Sequence, residues 1–145
     1  SAEDAEAVVV IDADNFKQIN DNYGHTAGDT VLQGIAQTIL SCVRKSDAVI
    51  RYGGDEFVIV FSNIPADVFK KKLERIRAAI DLLTIEKYPE IHISVSIGGV
   101  YGKGKTKELF TVADNMMYQA KARKNFVTIQ FLSADIGEER EGDLL

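Results

Sequence analysis

Asp55 and Glu56 follow Gly53 and Gly54 directly in the stretch "RYGGDEFVIV" (51–60), two adjacent acids at the mouth of an apolar run. Asp12 closes a second apolar run, "AVVVI" (7–11). Carboxylates drawn together repel one another unless a cation neutralises them, and hard divalent ions with oxygen ligands, Mg2+ above all, are the natural guests. Three acids meeting at one edge would make half of a metal site. A solvated hairpin tip, where charged residues are common, is the plain alternative. Whether the acids meet depends on the elements that carry them.

"AVVVI" is short and β-branched and reads as a buried strand. From Gly28 onward, Val31, Ile35, Ile39 and Val43 recur at helical spacing. "AVIRY" (48–52) and "EFVIVF" (56–61) flank Gly53-Gly54 and read as a hairpin, whose tight turn can need positive φ at both glycines. Pro65 precedes a second amphipathic helix with the stripe Phe69, Leu73, Ile76, Ile80 and Leu83. "HISVSIGGVYG" (92–102) alternates as a strand, with Gly98-Gly99 marking a bulge. Leu109, Ala113, Met116 or Met117, and Ala120 outline a third helix, and "FVTIQF" (126–131) a last strand. The order β-α-β-β-α-β-α-β predicts an α+β fold whose first six elements match the split βαβ, ferredoxin-like arrangement. A right-handed crossover makes the first two strands parallel, and the third lies between them. Asp12 then comes close to Asp55 and Glu56, although more than forty residues separate them.

Composition narrows the function classes. The chain has 145 residues, 46% of them hydrophobic and 27% charged, which suits a single globular domain over 1–132; "SADIGEEREGDLL" (133–145) reads as a disordered acidic tail. A net charge of −5 argues against broad nucleic-acid binding but not against a nucleotide, whose phosphates metal ions and a few local cations can meet. Cys42, the only cysteine, falls in an apolar helical pattern and reads as core filler, and a reducing cytosol is the compartment expected. His25 and His92 belong to no cysteine–histidine pattern, so a structural zinc is not expected.

Taken together, "RYGGDEF" and "DADNFKQINDNYGHTAGDTVL" (12–32) closely resemble the GGDEF family, the diguanylate cyclases, and the likeness runs from about Val8 to about Asn125. The resemblance implies a palm-like nucleotidyl-cyclase fold that condenses two GTP into cyclic di-GMP and releases pyrophosphate. By position, it makes Asp12, the carbonyl of Ala13, Asp55 and Glu56 ligands of two Mg2+ ions (Mn2+ being the substitute), with Asp55 and Glu56 also serving the chemistry. Backbone N–H groups around Asn15, Phe16 and Lys17 would cradle the β- and γ-phosphates, a concavity that a strand-to-helix turn forms readily. Gly53 and Gly54 would let the hairpin approach the nucleotide with no side chain between. Asn20 and Asp29 match the guanine-reading positions, against the local alternatives of a turn residue for Asn20 and a helix N-cap for Asp29. Leu32 would close the base pocket, and Lys121 would reach the phosphates from the third helix.

Arg44 and Asp47 form an R-x-x-D motif placed like the family's product-inhibition site, where arginine would grip cyclic di-GMP; a surface ion pair is the local alternative. Arg75 or Arg77 could add a product contact. Two departures from the family pattern stand out. "KARKN" (121–125) is one residue short, so Lys124 or nothing supplies the second phosphate cation. The family's opening helix and "D-x-L-T-G-L-x-N-R"-like segment are missing before Val8, as in a domain trimmed at its N-terminus. The resemblance further implies a homodimer, because each domain binds one GTP, and a sensory or dimerising region upstream in a cytoplasmic or membrane-anchored protein. A receptor that binds GTP or cyclic di-GMP without turnover is the competing expectation.

Overall fold

The computed structural model describes residues 4–132, so the acidic tail expected over 133–145 lies outside the described residues. The elements run β1 (Asp4–Ala13), α1 (Phe16–Tyr23), α2 (His25–Cys42), β2 (Ala48–Arg51), β3 (Glu56–Phe61), α3 (Ala66–Asp81), β4 (Val95–Lys105), α4 (Thr106–Lys121) and β5 (Phe126–Phe131). The five strands form one sheet in the order β2-β3-β1-β4-β5, antiparallel except for the parallel pair β4–β5. This is the expected α+β, palm-like arrangement, with β3 between β2 and β1.

The central strand β1 is apolar at successive positions because both of its faces are covered. Ala7, Val9 and Ile11 join Phe57, Ile59 and Phe61 in the larger core, against α1, α2 and α3. Val8 and Val10 point the other way and join Val58, Val100, Leu109, Ala113 and Met117 in a second core beneath α4. The alternation places Asp12 and Glu56 on the α4 side, since side chains two apart share a face. Helix α4 reaches the sheet closely because Gly98 has no side chain: a Cβ there would lie 2.0 Å from the backbone nitrogen of Met117 and 2.3 Å from the carbonyl oxygen of Ala113.

Four local expectations are corrected. An eight-residue helix, α1, occupies 16–23, and α2 begins at His25 rather than Gly28. The strand expected over 92–102 spans Val95–Lys105. Gly98 and Gly99 pair in unbroken register with Val10 and Val9, and the irregularity lies instead between Ala5 and Ala7. These glycines serve close packing, Gly98 against α4 and Gly99 against Leu73 and Phe69. Finally, only Gly24 and Gly102 among the described glycines have positive φ, so the four-residue turn 52–55 does not use that freedom at Gly53 or Gly54. It is held instead by Tyr52 N–H donating to Glu56 O at 2.9 Å and Arg51 Nη2 to Gly54 O at 2.7 Å.

Candidate active site

Asp12 at the end of β1 is the direct cross-strand partner of Glu56, and the Ala13 N–H donates to the Asp55 carbonyl at 3.1 Å. The sheet therefore brings all three acids to one edge. Burial pushes the Asp12 carboxyl up to about 6, a rise that Lys121 opposes and Asp55 reinforces. Glu56 is also raised, first by burial and then by the charges of Asp114 and Asp55. Both shifts signal negative charge held in a place that resists it.

Positive charge arrives from the end of α4. Lys121 Nζ lies 3.0 Å from Asp12 Oδ2, 2.9 Å from the Ala13 carbonyl oxygen and 3.3 Å from Asp14 Oδ1. Asp14, which the sequence reading passed over, is the buried anchor of this arrangement. It accepts from Ser94 Oγ at 2.7 Å, Ser96 Oγ at 2.6 Å and the Asn125 N–H at 2.8 Å. Burial alone would raise its pKa, but those three hydrogen bonds and the Lys121 charge outweigh burial and hold it below the usual carboxylate value. The only hint in the sequence was the second acid of "DAD", placed one residue past the strand.

The turn after β1 completes the cation side. Asn15 takes the left-handed conformation (φ 57°) and begins α1 without capping it, because its side-chain oxygen instead accepts from Lys124 Nζ at 2.6 Å. The first amides of a helix have no intrahelical partner, and they carry the positive end of the helix dipole. A cavity of about 260 Å3 lies here, with Asp12, Asp55, Asn15, Lys17, Lys121 and Lys124 in its wall. The larger cavity at the opposite end of the sheet, about 530 Å3 among Asp4, Glu6, Ser62 and Lys103, contains none of the candidate groups.

Among the described residues, no three carboxylate, imidazole or thiol groups stand close enough together to hold a metal ion as a ready cage. Lys121 supplies only part of the positive charge that Asp12 requires, being shared with Asp14. The donor set nonetheless suits a hard divalent ion, being all oxygen, and Asp12 Oδ1 is buried with no hydrogen-bond partner.

The family model described as "Diguanylate cyclase, GGDEF domain" matches residues 2–126. The chain belongs to the GGDEF family. It is 39% identical over 115 residues to diguanylate cyclase DgcM of Escherichia coli K12, covering 79% of this chain and 28% of that protein. Diguanylate cyclase A of Treponema denticola is 37% identical over 128 residues, 85% of this chain and 34% of that protein. The chain thus spans about a third or less of these relatives. Among solved structures, the GGDEF domain of DgcB from Caulobacter crescentus, in complex with c-di-GMP, superposes with a TM-score of 0.77 at 30% identity, covering 85% of this chain and 76% of that one. The active GGEEF domain of a Vibrio cholerae diguanylate cyclase gives 0.78 at 28% identity, with coverages of 88% and 83%.

In this GGDEF domain the remaining candidates fall into two further places. Asn20 lies within α1 rather than in a turn, and its Oδ1 is buried without a partner against Gly28. Asp29 is exposed and stands fifth in α2, so the N-cap alternative does not hold; Gly24 occupies that position. Leu32 is buried on the same helix. The junction of α1 and α2 therefore carries Asn20, Asp29 and Leu32, one helical turn beyond the Asn15 turn. Arg44 and Asp47 lie apart from all of these, at the far end of the β2–β3 hairpin from Asp55. Asp47 receives the Arg44 N–H at 2.8 Å, Nη2 at 2.9 Å and Nε at 3.3 Å, while Arg44 also donates to the carbonyls of Ser62 and Asn63. Arg77 is held by Glu74 and by Asn125 Oδ1 at 2.7 Å.

Proposed function

We propose that this GGDEF domain condenses two GTP molecules into cyclic di-GMP, releasing pyrophosphate at the interface of two antiparallel copies. The observation that carries the reading is the pairing of Asp12 with Glu56 at one sheet edge, beside Asp55 and opposite the uncapped start of α1 with Lys121 and Lys124. One side of the cavity is built for oxygen-seeking cations and the other for phosphate oxygens. That division is what a nucleoside triphosphate and its counter-ions require.

In this reading the amides of Phe16 and Lys17 and the ammonium groups of Lys121 and Lys124 hold the β- and γ-phosphates. Lys124 is the second phosphate cation, a place supported by its bond to the Asn15 side chain at the same turn. Asp12, the Ala13 carbonyl, Asp55 and Glu56 hold Mg2+. When bound, the metal would acidify the attacking 3′-hydroxyl and neutralise charge on the leaving pyrophosphate. Glu56 would also serve the attacking hydroxyl as it sheds its proton. Asp29, exposed on α2, accepts the N1–H and 2-amino donors of guanine, Asn20 supplies a mixed donor and acceptor to the other edge, and Leu32 packs beneath the base. Gly53 and Gly54 leave the hairpin tip clear: a Cβ at Gly54 would meet nothing within 4 Å.

Each copy binds one GTP, so two must face each other, and turnover depends steeply on protein concentration unless an upstream region of the full-length protein pairs them. Arg44 and Asp47 form the product-inhibition site. Use of GTP assigns the domain to the cytosol, whether or not the whole protein is tethered to a membrane; no described helix is long and apolar enough to span one. The test is chromatographic product analysis of concentrated protein incubated with GTP and Mg2+, beside an Asp55→Ala, Glu56→Ala control. Cyclic di-GMP is expected only with the unaltered acids. GTP retained but unconverted, even by a chain fused to a dimeric coiled coil, would make the domain a receptor instead.

A further inference from the structure

Arg77 lies on α3, yet its partners lead to the turn after α4. Its Nε and Nη2 donate to Glu74 Oε1 at 2.9 and 2.5 Å, and its Nη1 donates to Asn125 Oδ1 at 2.7 Å. The Asn125 Nδ2 donates in turn to Asp81 Oδ1 at 3.0 Å. A cation thus meets the carboxamide oxygen and an anion meets its amino group, so a carboxamide suits both partners where a carboxylate would repel Asp81. The Asn125 N–H meanwhile donates to Asp14 Oδ2 at 2.8 Å. The turn needs such a grip. Lys124 and Asn125 both have positive φ, 63° and 49°, where a helix commonly ends on a single glycine. With the turn so held, Lys124 Nζ reaches Asn15 Oδ1 at 2.6 Å. Arg77 has no nitrogen left uncommitted, and its side chain is only 20% exposed.

We propose that Arg77 is a positioning residue of the nucleotide site and not a product contact: by locking the Asn125 carboxamide it fixes the turn after α4 and sets Lys124 against the start of α1. The inference rests on the reading of Lys124 as the second phosphate cation. Lys124 is exposed and its stem is flexible, so the place of its backbone decides where the ammonium spends its time. Once the turn is loosened, the ammonium spreads over a larger volume and less of it stands beside the phosphates. Affinity for the triphosphate falls. Arg44 and Asp47, at the far end of the β2–β3 hairpin from Asp55, keep their own contacts and their hold on cyclic di-GMP.

The test is calorimetric titration of the 145-residue chain with 3′-deoxy-GTP in Mg2+, which lacks the attacking hydroxyl and cannot turn over, and separately with cyclic di-GMP. Arg77→Met keeps the helix preference and donates nothing, whereas Asn125→Gly keeps the positive φ and the N–H to Asp14 but removes the carboxamide. Each is expected to lose roughly fivefold in affinity for 3′-deoxy-GTP and to bind cyclic di-GMP within about twofold of wild type. Combined with Lys124→Ala, neither should bind more weakly than Lys124→Ala alone. Thermal unfolding checks every variant, and Asn125→Gly with Lys124→Ala decides the matter if Arg77→Met does not fold. Wild-type 3′-deoxy-GTP affinity in Asn125→Gly, losses that add to that of Lys124→Ala, or an Arg77→Met chain weakened only toward cyclic di-GMP would each overturn the proposal. Wild-type affinity in Lys124→Ala would remove the phosphate role of Lys124 itself, and this inference with it.

Discussion

The β2–β3 hairpin ends in two clusters of charge, and they are built on opposite plans. At one end Asp47 is fully enclosed, yet every demand of its carboxylate is met by the backbone and guanidinium of Arg44. At the other end Asp12 keeps one oxygen bare, carries a carboxyl raised to about 6, and shares its only cation with Asp14 and a carbonyl. The closed pair needs nothing more. The open cluster is short of positive charge, and that shortfall is consistent with the metal–nucleotide complex proposed for it. Burial by itself does not distinguish the two ends; unsatisfied burial does.

The contrast is broken most severely by asking which end turnover needs. Asp12→Asn is expected to cost roughly a thousandfold in cyclic di-GMP formation, the scale of losing a group that stabilises developing charge, while Asp47→Asn leaves the initial rate within about threefold. Equal losses would show that the open end is not special. Next in size comes Asp14, a closed group inside the open site. Asp14→Ala strands Ser94, Ser96 and the Asn125 amide and frees Lys121, and should cost about 3 kcal/mol in chemical denaturation. A loss below about 1 kcal/mol would mean that the carboxylate anchors nothing.

Much of this division was legible in the residues. β3 and β5 were read at their observed limits, because each is a short apolar run bounded by turn residues. The split order of strands carried Asp12 to Glu56 from topology alone. Helix α1 was not legible: it buries only Ile19, and its eight residues sit between the turn-like "DADN" and Gly24. With α1 missed, α2 was started late and Asp29 looked like a cap. Lys124 was named as a candidate phosphate cation, but the contacts that it and Asn125 make were not legible, for another reason. Both take positive φ (63° and 49°), which brings the Asn125 amide to Asp14 and the Lys124 amine to Asn15. Non-glycine residues rarely adopt that conformation, so no local pattern announces it.

The open cluster should also betray itself in stability. The Asp12 carboxyl binds its proton more tightly folded than unfolded, so acidification favours the folded state through the window from about 6 down to 3.8. Below that window Asp14, whose pKa is lowered, works the other way and its stabilisation is lost as pH falls. Asp12→Asn removes the first effect. At pH 7 the variant should be more stable than wild type by about 2 kcal/mol, and its stability should be flatter between pH 7 and 4. Urea denaturation at several pH values measures both, and a destabilised Asp12→Asn would show that Lys121 already satisfies the acid.

The smallest effect is expected at the closed end, and it sharpens the comparison by its sign. Asp47→Asn keeps the size of the side chain but gives up the charge that three Arg44 donors address. Arg44 is 44% exposed and can turn to water, so the penalty falls mainly on weakened hydrogen bonds within the Arg44–Asp47 turn, about 1 kcal/mol. Loss at Asp47 and gain at Asp12, from the same chemical change at the two ends of one hairpin, is the outcome expected if one end closes the fold and the other is held open. If Arg44 and Asp47 also bind product, the variant should accumulate more cyclic di-GMP late in the reaction without starting faster. A stabilised Asp47→Asn would place both ends in the same class, and the distinction between them would have to be given up.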